Sequence, residues 1–195
     1  MKELGVISDR RGNNQLFPDE FLPNLRGQQA IRRYREMREN DPIIGAVLQA
    51  MEMMLRRVKW SAKAVDDSPE AVAEAEFVTG LFEDMEWSYE DFMSEVLTFL
   101  PYGFSFFEIV MKRREKRRSK FDDGLIGVRK LAPRAQWTLD QWEMNKQGEV
   151  TGFRQRTSTG YVKIPLKKGL LFRTTSSSPT GRSVLRSAYK SYYYA

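Results

Sequence analysis

The stretch that most constrains the fold of this chain runs from Leu97 to Arg114 and reads LTFLPYGFSFFEIVMKRR. It begins with apolar residues typical of a helix end, and Pro101 and Gly103 follow shortly afterwards. Proline does not continue a helix and glycine allows a sharp change of direction, so the pattern predicts a helix that stops before Pro101. The apolar and aromatic segment Phe104–Met111 then predicts a strand, which runs into a basic segment.

Several helices are predicted upstream of this switch. The segment Gln28–Asn40 is charged and helical in pattern. Asp41 and Ser68 each precede a proline, and a capping side chain followed by proline at the first helical position is a strong start signal. A further helix begins near Ser88 and leads to the switch.

Strand patterns dominate after the switch. Asp122-Asp123-Gly124 marks a turn, so residues 125–131 return as the second strand of a hairpin. Further strands are predicted at Trp137–Met144, Val150–Arg156, Tyr161–Ile164 and Leu170–Thr174. Ser183 is expected to cap a final helix that runs through Tyr194. This order predicts an α+β fold with N-terminal helices packed on a mostly antiparallel sheet and a C-terminal helix.

Two patterns between the first helix and the switch lead to further expectations. In the helix after Asp41, apolar side chains recur at helical spacing and are expected to form a core stripe: Ile43, Val47, Met51, Met54, Leu55 and Val58. The methionines here are typical either of core filling, which is favoured, or of an adaptable binding groove. Arg57–Val65 alternates apolar and polar residues and predicts a strand.

The first 27 residues differ in composition from the rest, because they mix Gly, Asn, Pro and charge without a sustained apolar period. We therefore predict an extended N-terminal arm over residues 1–27 and one α+β domain over residues 28–195. The arm is either a disordered terminus or docks on a neighbouring subunit. Aromatic side chains are favoured at interfaces, and those expected at a subunit interface are Phe17, Phe21, Tyr189, Tyr192, Tyr193 and Tyr194. The alternative is that the tyrosines pack on the domain's own sheet.

Missing residue types exclude several classes of enzyme. The chain contains no cysteine and no histidine, so thiolate metal sites are impossible and the commonest general base is absent. It lacks the glycine patterns that cradle phosphates, and adjacent carboxylates such as Glu83-Asp84 diverge on a helix. We predict no catalytic activity, no cofactor and no metal. The apolar stretches fall short of the roughly 18 residues that a membrane span needs.

The formal positive excess lies in one segment. The chain has 32 basic and 26 acidic residues, a net charge of +6. The segment Lys112–Lys120 supplies this whole excess, and its basic residues are Lys112, Arg113, Arg114, Lys116, Arg117, Arg118 and Lys120. Such a run is a solvated hairpin tip, a contact with DNA phosphates or an acidic partner, or a nuclear localisation signal.

Five segments occur in one order over residues 36–193: ENDPIIGAVLQAMEMML, LTFLPYGFSFFEIV, GVRKLAPRAQWTLDQWEMN, IPLKKGLLFRTT and GRSVLRSAYKSYY. In these segments and in their order, the chain resembles the portal proteins of tailed bacteriophages, in particular the Mu-like group. The matching part corresponds to the N-terminal wing portion of such proteins. The stem and clip regions are missing after residue 195, so the chain is either a piece of a longer protein or a trimmed product of a degraded prophage. Residues that line the channel or dock the motor are therefore not carried over.

The resemblance implies a structural role in the virion and no catalytic residues. Portal proteins form a ring, commonly a dodecamer, at one capsid vertex, and double-stranded DNA is packaged and ejected through it. The implied partners are further copies of the chain, the major capsid protein, terminase, neck or head-completion proteins, and double-stranded DNA. Assembly is expected in the host cytoplasm without a membrane. The alternative function is that of a nucleic-acid-binding regulator with a basic hairpin.

Overall fold

The computed structural model describes residues 20–58, 60–176 and 178–194. After a short 3₁₀-helix at Pro23–Leu25, the first half of this part is helical, with α1 (Gly27–Asn40), α2 (Pro42–Arg56), α3 (Pro69–Glu83), α4 (Tyr89–Leu97) and α5 (Phe99–Tyr102). Leu25 is buried, and Glu20 forms an ion pair with Arg186 at 2.5 Å. Most of the proposed arm, residues 1–19, lies outside the described residues, so the division at residue 27 stays a prediction.

Side-chain caps fix the starts of three helices where the sequence predicts them. The Asp41 carboxylate accepts hydrogen bonds from the backbone N–H groups of Ile43 and Ile44, both at 2.9 Å. Ser68 and Ser88 cap α3 and α4 in the same way with their hydroxyl oxygens. The first N–H groups of a helix have no partner within it, so these caps satisfy donors that would otherwise need water.

The second half of the described chain is a pair of sheets followed by a short helix. The strands are β1 (Phe104–Arg113), β2 (Ile126–Arg134), β3 (Leu139–Met144), β4 (Val150–Thr157), β5 (Gly160–Pro165) and β6 (Gly169–Arg173). They form two antiparallel three-stranded sheets, with the orders β2-β1-β6 and β3-β4-β5. The final helix, α6, spans Tyr189–Tyr194. The predicted α+β fold is confirmed.

The switch from helix to strand differs in one detail from the prediction. α4 ends at Leu97, but α5 adds one more turn that contains Pro101. Proline fits there because the first N–H groups of a new helix have no intrahelical partner. Gly103 then ends the turn with a φ of 92°. A Cβ at this position would collide with the carbonyl oxygen of Thr180, so only glycine fits.

β1 lies between two apolar cores because its side chains alternate between the two faces of its sheet. Phe104 and Phe106 enter the first core, where the Phe106 ring stacks on Phe153 with 4.7 Å between the ring centroids. Phe107 enters the second core and meets the Phe92 ring of α4 at 5.0 Å. The two cores therefore lie on opposite sides of one central strand.

The elements form two layers around this strand. We call α3 and α4 the helical layer; they are joined by the edge-to-face pair of Phe82 and Tyr89, with 5.4 Å between the ring centroids. We call β3, β4, β5, α1 and α6 the sheet layer, because they surround the first core, in which Ile164 and Tyr189 are buried. β1 separates the helical layer from the sheet layer.

The strand predicted at Arg57–Val65 is wrong for the described residues of that segment. Residues 57–58 and 60–65 form no strand. Ala62 and Ala64 are half-buried and line a cleft against α3, whereas Lys63 and Val65 between and beyond them are exposed. The alternation therefore reflects packing on a helix. A ladder needs a neighbouring strand, and the described strands pair elsewhere.

The core stripe predicted on α2 is also wrong. Within Pro42–Arg56 no side chain is fully buried, and Ile43 and Met54 are 75% and 72% exposed. Ile44 and Leu48, on another line of the helix, are the α2 residues that pack against the first core. Helical spacing thus identified the helix but not the face that the rest of the chain covers.

The predicted C-terminal helix is divided. Ser183 caps a 3₁₀ turn at Val184–Arg186 by accepting a hydrogen bond from the Leu185 N–H at 3.0 Å. Its hydroxyl also donates to the carbonyl of Pro101 at 2.6 Å. This second bond ties the chain to α5, and the α-helix begins only at Tyr189.

Candidate nucleic-acid interface and interaction surfaces

The basic segment forms a closed loop that folds back on the end of α3. β1 ends at Arg113 and β2 begins at Ile126. The Arg114 N–H donates to the Leu125 carbonyl at 2.8 Å, and the Gly124 N–H donates to the Arg114 carbonyl at 3.0 Å. These two bonds close the base of the loop. The hairpin predicted from the turn signal is confirmed, but its tip is a structured loop.

Asp84, at the C-terminal end of α3, anchors this loop. Its carboxylate accepts hydrogen bonds from the Ser119 hydroxyl at 2.7 Å and from the Lys120 N–H at 2.8 Å. The Lys112 ammonium pairs with it at 2.9 Å, and both side chains are almost fully buried. Burial opposes ionisation of Asp84, but the hydrogen bonds from Lys120, Ser119 and Lys112 together outweigh it and hold its pKa below the usual range.

Arg114 is a core residue of the same loop. It is only 4% exposed, and its guanidinium carbon lies 3.9 Å from the ring centroid of Phe121 and 5.0 Å from that of Phe77. Its Nη2 pairs with Asp123 at 3.1 Å. Its Nε and Nη1 have no hydrogen-bond partner among the described residues, so the aromatic faces supply much of its stabilisation.

The structure divides the seven basic residues of the segment into two groups. The side chains of Lys112 and Arg114 are almost fully buried. The Lys120 ammonium donates to the Glu83 carbonyl at 2.6 Å, at the negative end of the α3 dipole. Lys120 is exposed but bound to α3 in this way, whereas four exposed side chains have no bond to α3: Arg113, Lys116, Arg117 and Arg118. This exposed group, which we call the basic tip, is the part of the segment that is free to meet a phosphate.

The aromatic residues predicted at a subunit interface differ in their exposure to solvent. Phe17 lies outside the described residues. Tyr189 is buried in the first core and Tyr192 packs against it. The more exposed members are Phe21, Tyr193 and Tyr194, and the last two rings meet edge-to-face at 5.4 Å. Of the predicted residues that the structure describes, these three are exposed.

Acidic and basic residues are also separated along the sequence, which the count over the whole chain does not show. Residues 64–111 contain twelve acidic residues and no lysine or arginine, whereas residues 135–194 contain ten basic and three acidic residues. The overall balance outside Lys112–Lys120 conceals this separation, which a running count of charge along the sequence shows. The first range includes the whole helical layer, and the second includes most of the sheet layer.

A cleft lies beside α3, between this helix, residues 62–64 and the basic loop. It has a volume of about 370 Å³ and is lined by Ala62, Ala64, Val72, Ala75, Glu76, Thr79, Gly80, Glu83 and Phe121. This lining offers no nucleophile paired with a base. Among the described residues there is no group of acidic side chains that would hold a metal ion, and no helix long and apolar enough to cross a membrane.

A family model described as the portal protein of Mu bacteriophage matches residues 31–195. The match covers most of the chain, including the second core, the basic loop and most of the first core. The chain therefore belongs to the family of Mu bacteriophage portal proteins, a structural family of the virion. None of the curated proteins compared with the chain matches it.

Proposed function

We propose that this chain is a portal protein that assembles into a closed ring of about twelve subunits at one capsid vertex, around a channel for double-stranded DNA. The observation that carries the proposal is the family match over residues 31–195. On this proposal the chain supplies the wing portion of each subunit. It meets the major capsid protein, the terminase and the neck or head-completion proteins during assembly in the host cytoplasm.

The basic tip is proposed to contact DNA in this setting. Arg113 has a loose ion pair with Glu115, at 3.9 Å, and its Nε donates to the Gly124 carbonyl at 3.3 Å. The side chains of Lys116, Arg117 and Arg118 form no ion pair among the described residues. Cations of this kind neutralise phosphates without reading base sequence. That mode suits a channel through which a whole genome passes. The same tip also suits an acidic patch on the inner capsid wall.

The mass of the intact gene product distinguishes the portal from its alternative. A closed ring of about twelve copies in native mass spectrometry or electron microscopy supports the portal. A stable monomer or dimer at all concentrations contradicts it and supports the regulator with a basic hairpin. The concentrated exposed charge of the basic tip is the observation that favours this second candidate.

The binding of DNA by the basic tip has its own test. We expect replacement of Arg113, Lys116, Arg117 and Arg118 by serine to weaken duplex binding on all sequences alike. The slope of log K against log salt should flatten by about 0.9 for each phosphate that the variant no longer neutralises. The matched control replaces four exposed cations elsewhere in the chain by serine: Lys63, Lys146, Lys167 and Lys168. An unchanged slope in the tip variant would remove DNA from the proposed partners of the tip.

The proposal includes no catalytic activity. The absence of histidine and cysteine from the sequence supports it, because both are common catalytic groups. Purified protein should release no nucleotides from DNA and no phosphate from ATP. Activity that copurifies with the protein and changes with a substitution in this chain would overturn this part of the proposal.

A further inference from the structure

α3 presents an apolar and acidic face that the rest of the described chain covers only in part. Its inner side carries Phe77, Gly80 and Asp84, which meet the basic loop. Its outer side exposes the apolar side chains Val72, Val78 and Phe82 and the carboxylates of Glu74, Glu76 and Glu83. We call this outer side, together with the cleft beside it, the α3 face. Exposed apolar side chains ringed by charge are typical of an interaction surface.

The carboxylates of the α3 face lack an ion-pair partner in the part of the chain that the structure describes. Glu74, Glu76 and Glu83 form no ion pair among the described residues, in contrast to Asp84 and Glu86 of the same layer, which pair with Lys112 and Arg129. These three glutamates also lie beyond the first turn of α3, so the helix dipole does not account for them. An apolar surface with this rim would match a partner that brings aromatic side chains and positive charge.

The opposite side of the same molecule has that composition. α6 reads YKSYYY and contains no acidic residue. Lys190, Tyr193 and Tyr194 are exposed, and the Lys190 ammonium has no ion pair among the described residues. Lys167 and Lys168, in the 3₁₀ turn between β5 and β6, are also exposed. α6 packs on the first core and α4 on the second, so β1 stands between α6 and the helical layer that carries the α3 face.

We propose that the α3 face binds α6 of a second copy of this chain, with Tyr193 or Tyr194 in the cleft and Lys190 beside Glu76. The inference rests on the proposed ring and names the surfaces that close it. Two different, complementary surfaces on opposite sides of one molecule give a head-to-tail contact, and such contacts form rings when the rotation closes. A cleft of about 370 Å³ is large enough for an aromatic side chain.

Disulfide crosslinking tests the contact directly, because the chain contains no cysteine of its own. Thr79 lines the cleft and Tyr193 is exposed on α6. We expect the intact protein carrying Thr79→Cys and Tyr193→Cys together to give a ladder of covalent oligomers under mild oxidation. Each single variant should give no ladder, since a head-to-tail contact pairs unlike positions. Dimers from a single variant, or a crosslink within one chain, would overturn the inference.

A charge exchange provides a second test that leaves the fold in place, since both positions are exposed. Glu76→Lys and Lys190→Glu should each raise the protein concentration at half assembly by about fivefold or more, and the double exchange should recover much of the loss. The matched controls are Glu149→Lys and Lys146→Glu, exposed on the turn between β3 and β4; they should leave assembly unchanged.

The outcomes separate the two proposals. If the wild-type protein forms rings but the double cysteine variant gives no ladder, the α3 face is not the subunit contact and the portal proposal stands. If the wild-type protein never assembles, the ring proposal fails and this inference fails with it.

Discussion

The guanidinium carbon of Arg114 lies 3.9 Å from the centre of the Phe121 ring, in a loop that composition alone would assign to solvent. Glycines make room for this contact. A Cβ at Gly127 would lie 3.1 Å from Cγ of Arg114, and a Cβ at Gly80 would lie 3.1 Å from the Phe121 ring. The arginine is therefore part of the packing that holds the basic loop against α3.

Replacing Arg114 by alanine should destabilise the protein by about 2–4 kcal/mol, because the change removes buried ring contacts and leaves Asp123 without its partner. Arg117→Ala is the matched control, since Arg117 is exposed in the same loop. It should change the free energy of unfolding by less than about 0.5 kcal/mol. Urea denaturation followed by circular dichroism measures both. Equal effects of the two substitutions would contradict the packing role of Arg114.

Asp84 should make stability depend on pH. Its pKa is lowered in the folded state, so its contribution is fully present above the unfolded pKa of about 3.9 and is lost as pH falls through the folded pKa. Asp84→Asn should cost about 2 kcal/mol or more at pH 7, and the difference from wild type should narrow below about pH 4. Denaturation curves at several pH values check this. Asp67→Asn, at an exposed position, should show no such convergence.

Gly103→Ala should be among the most disruptive single substitutions. Gly103 and Gly124 both have positive φ, at 92° and 69°. A Cβ at Gly103 would collide with the Thr180 carbonyl oxygen, whereas a Cβ at Gly124 would have open space around it. Gly124→Ala should therefore cost only the conformational penalty of about 1–2 kcal/mol, and Gly103→Ala clearly more. Comparable melting temperatures for the two variants would show that the backbone near Thr180 shifts to make room for a Cβ at position 103.

Substitutions of Asp41, the N-cap of α2, should lower the free energy of unfolding by less than Gly103→Ala does, and by different amounts for alanine and asparagine. Asp41→Ala removes the acceptor of the Ile43 and Ile44 N–H groups and should destabilise the protein by about 1 kcal/mol. Asp41→Asn keeps a side-chain oxygen and should lose only a fraction of that. The difference between the alanine and asparagine variants in chemical denaturation measures the cap itself. A loss as large for asparagine as for alanine would point to charge instead.

The elements that the sequence predicted correctly are those with local signals. Asp41, Ser68 and Ser88 mark helix starts by their own capping side chains, and the Asp122-Asp123-Gly124 turn marks the β1–β2 hairpin. The errors concern relations between distant segments. Nothing near Ile43 indicates whether another element covers it, and the alternation around Ala62 is equally compatible with a strand and with packing on α3.

The same limit applies to the candidate site. The local excess of basic residues identifies Lys112–Lys120 as a candidate binding segment, because charge can be counted directly in the sequence. Which of its cations face solvent depends on Asp84 and Phe77, which lie on α3 or at its end, far from the segment along the chain. No local sequence pattern indicates that Lys112 forms a buried ion pair with Asp84 while Arg117 stays exposed.

The central position of β1 determines how the protein unfolds. The strand is hydrogen bonded to β2 on one edge and to β6 on the other, and Phe106 and Phe107 enter different cores. Loss of the sheet layer would expose Phe104 and Phe106 to water, and loss of the helical layer would expose Phe107. Unfolding of one layer alone is therefore unfavourable. Amide hydrogens of Phe104–Glu108 should consequently exchange with deuterium only through global unfolding, and strain on one layer should reach the other through this strand.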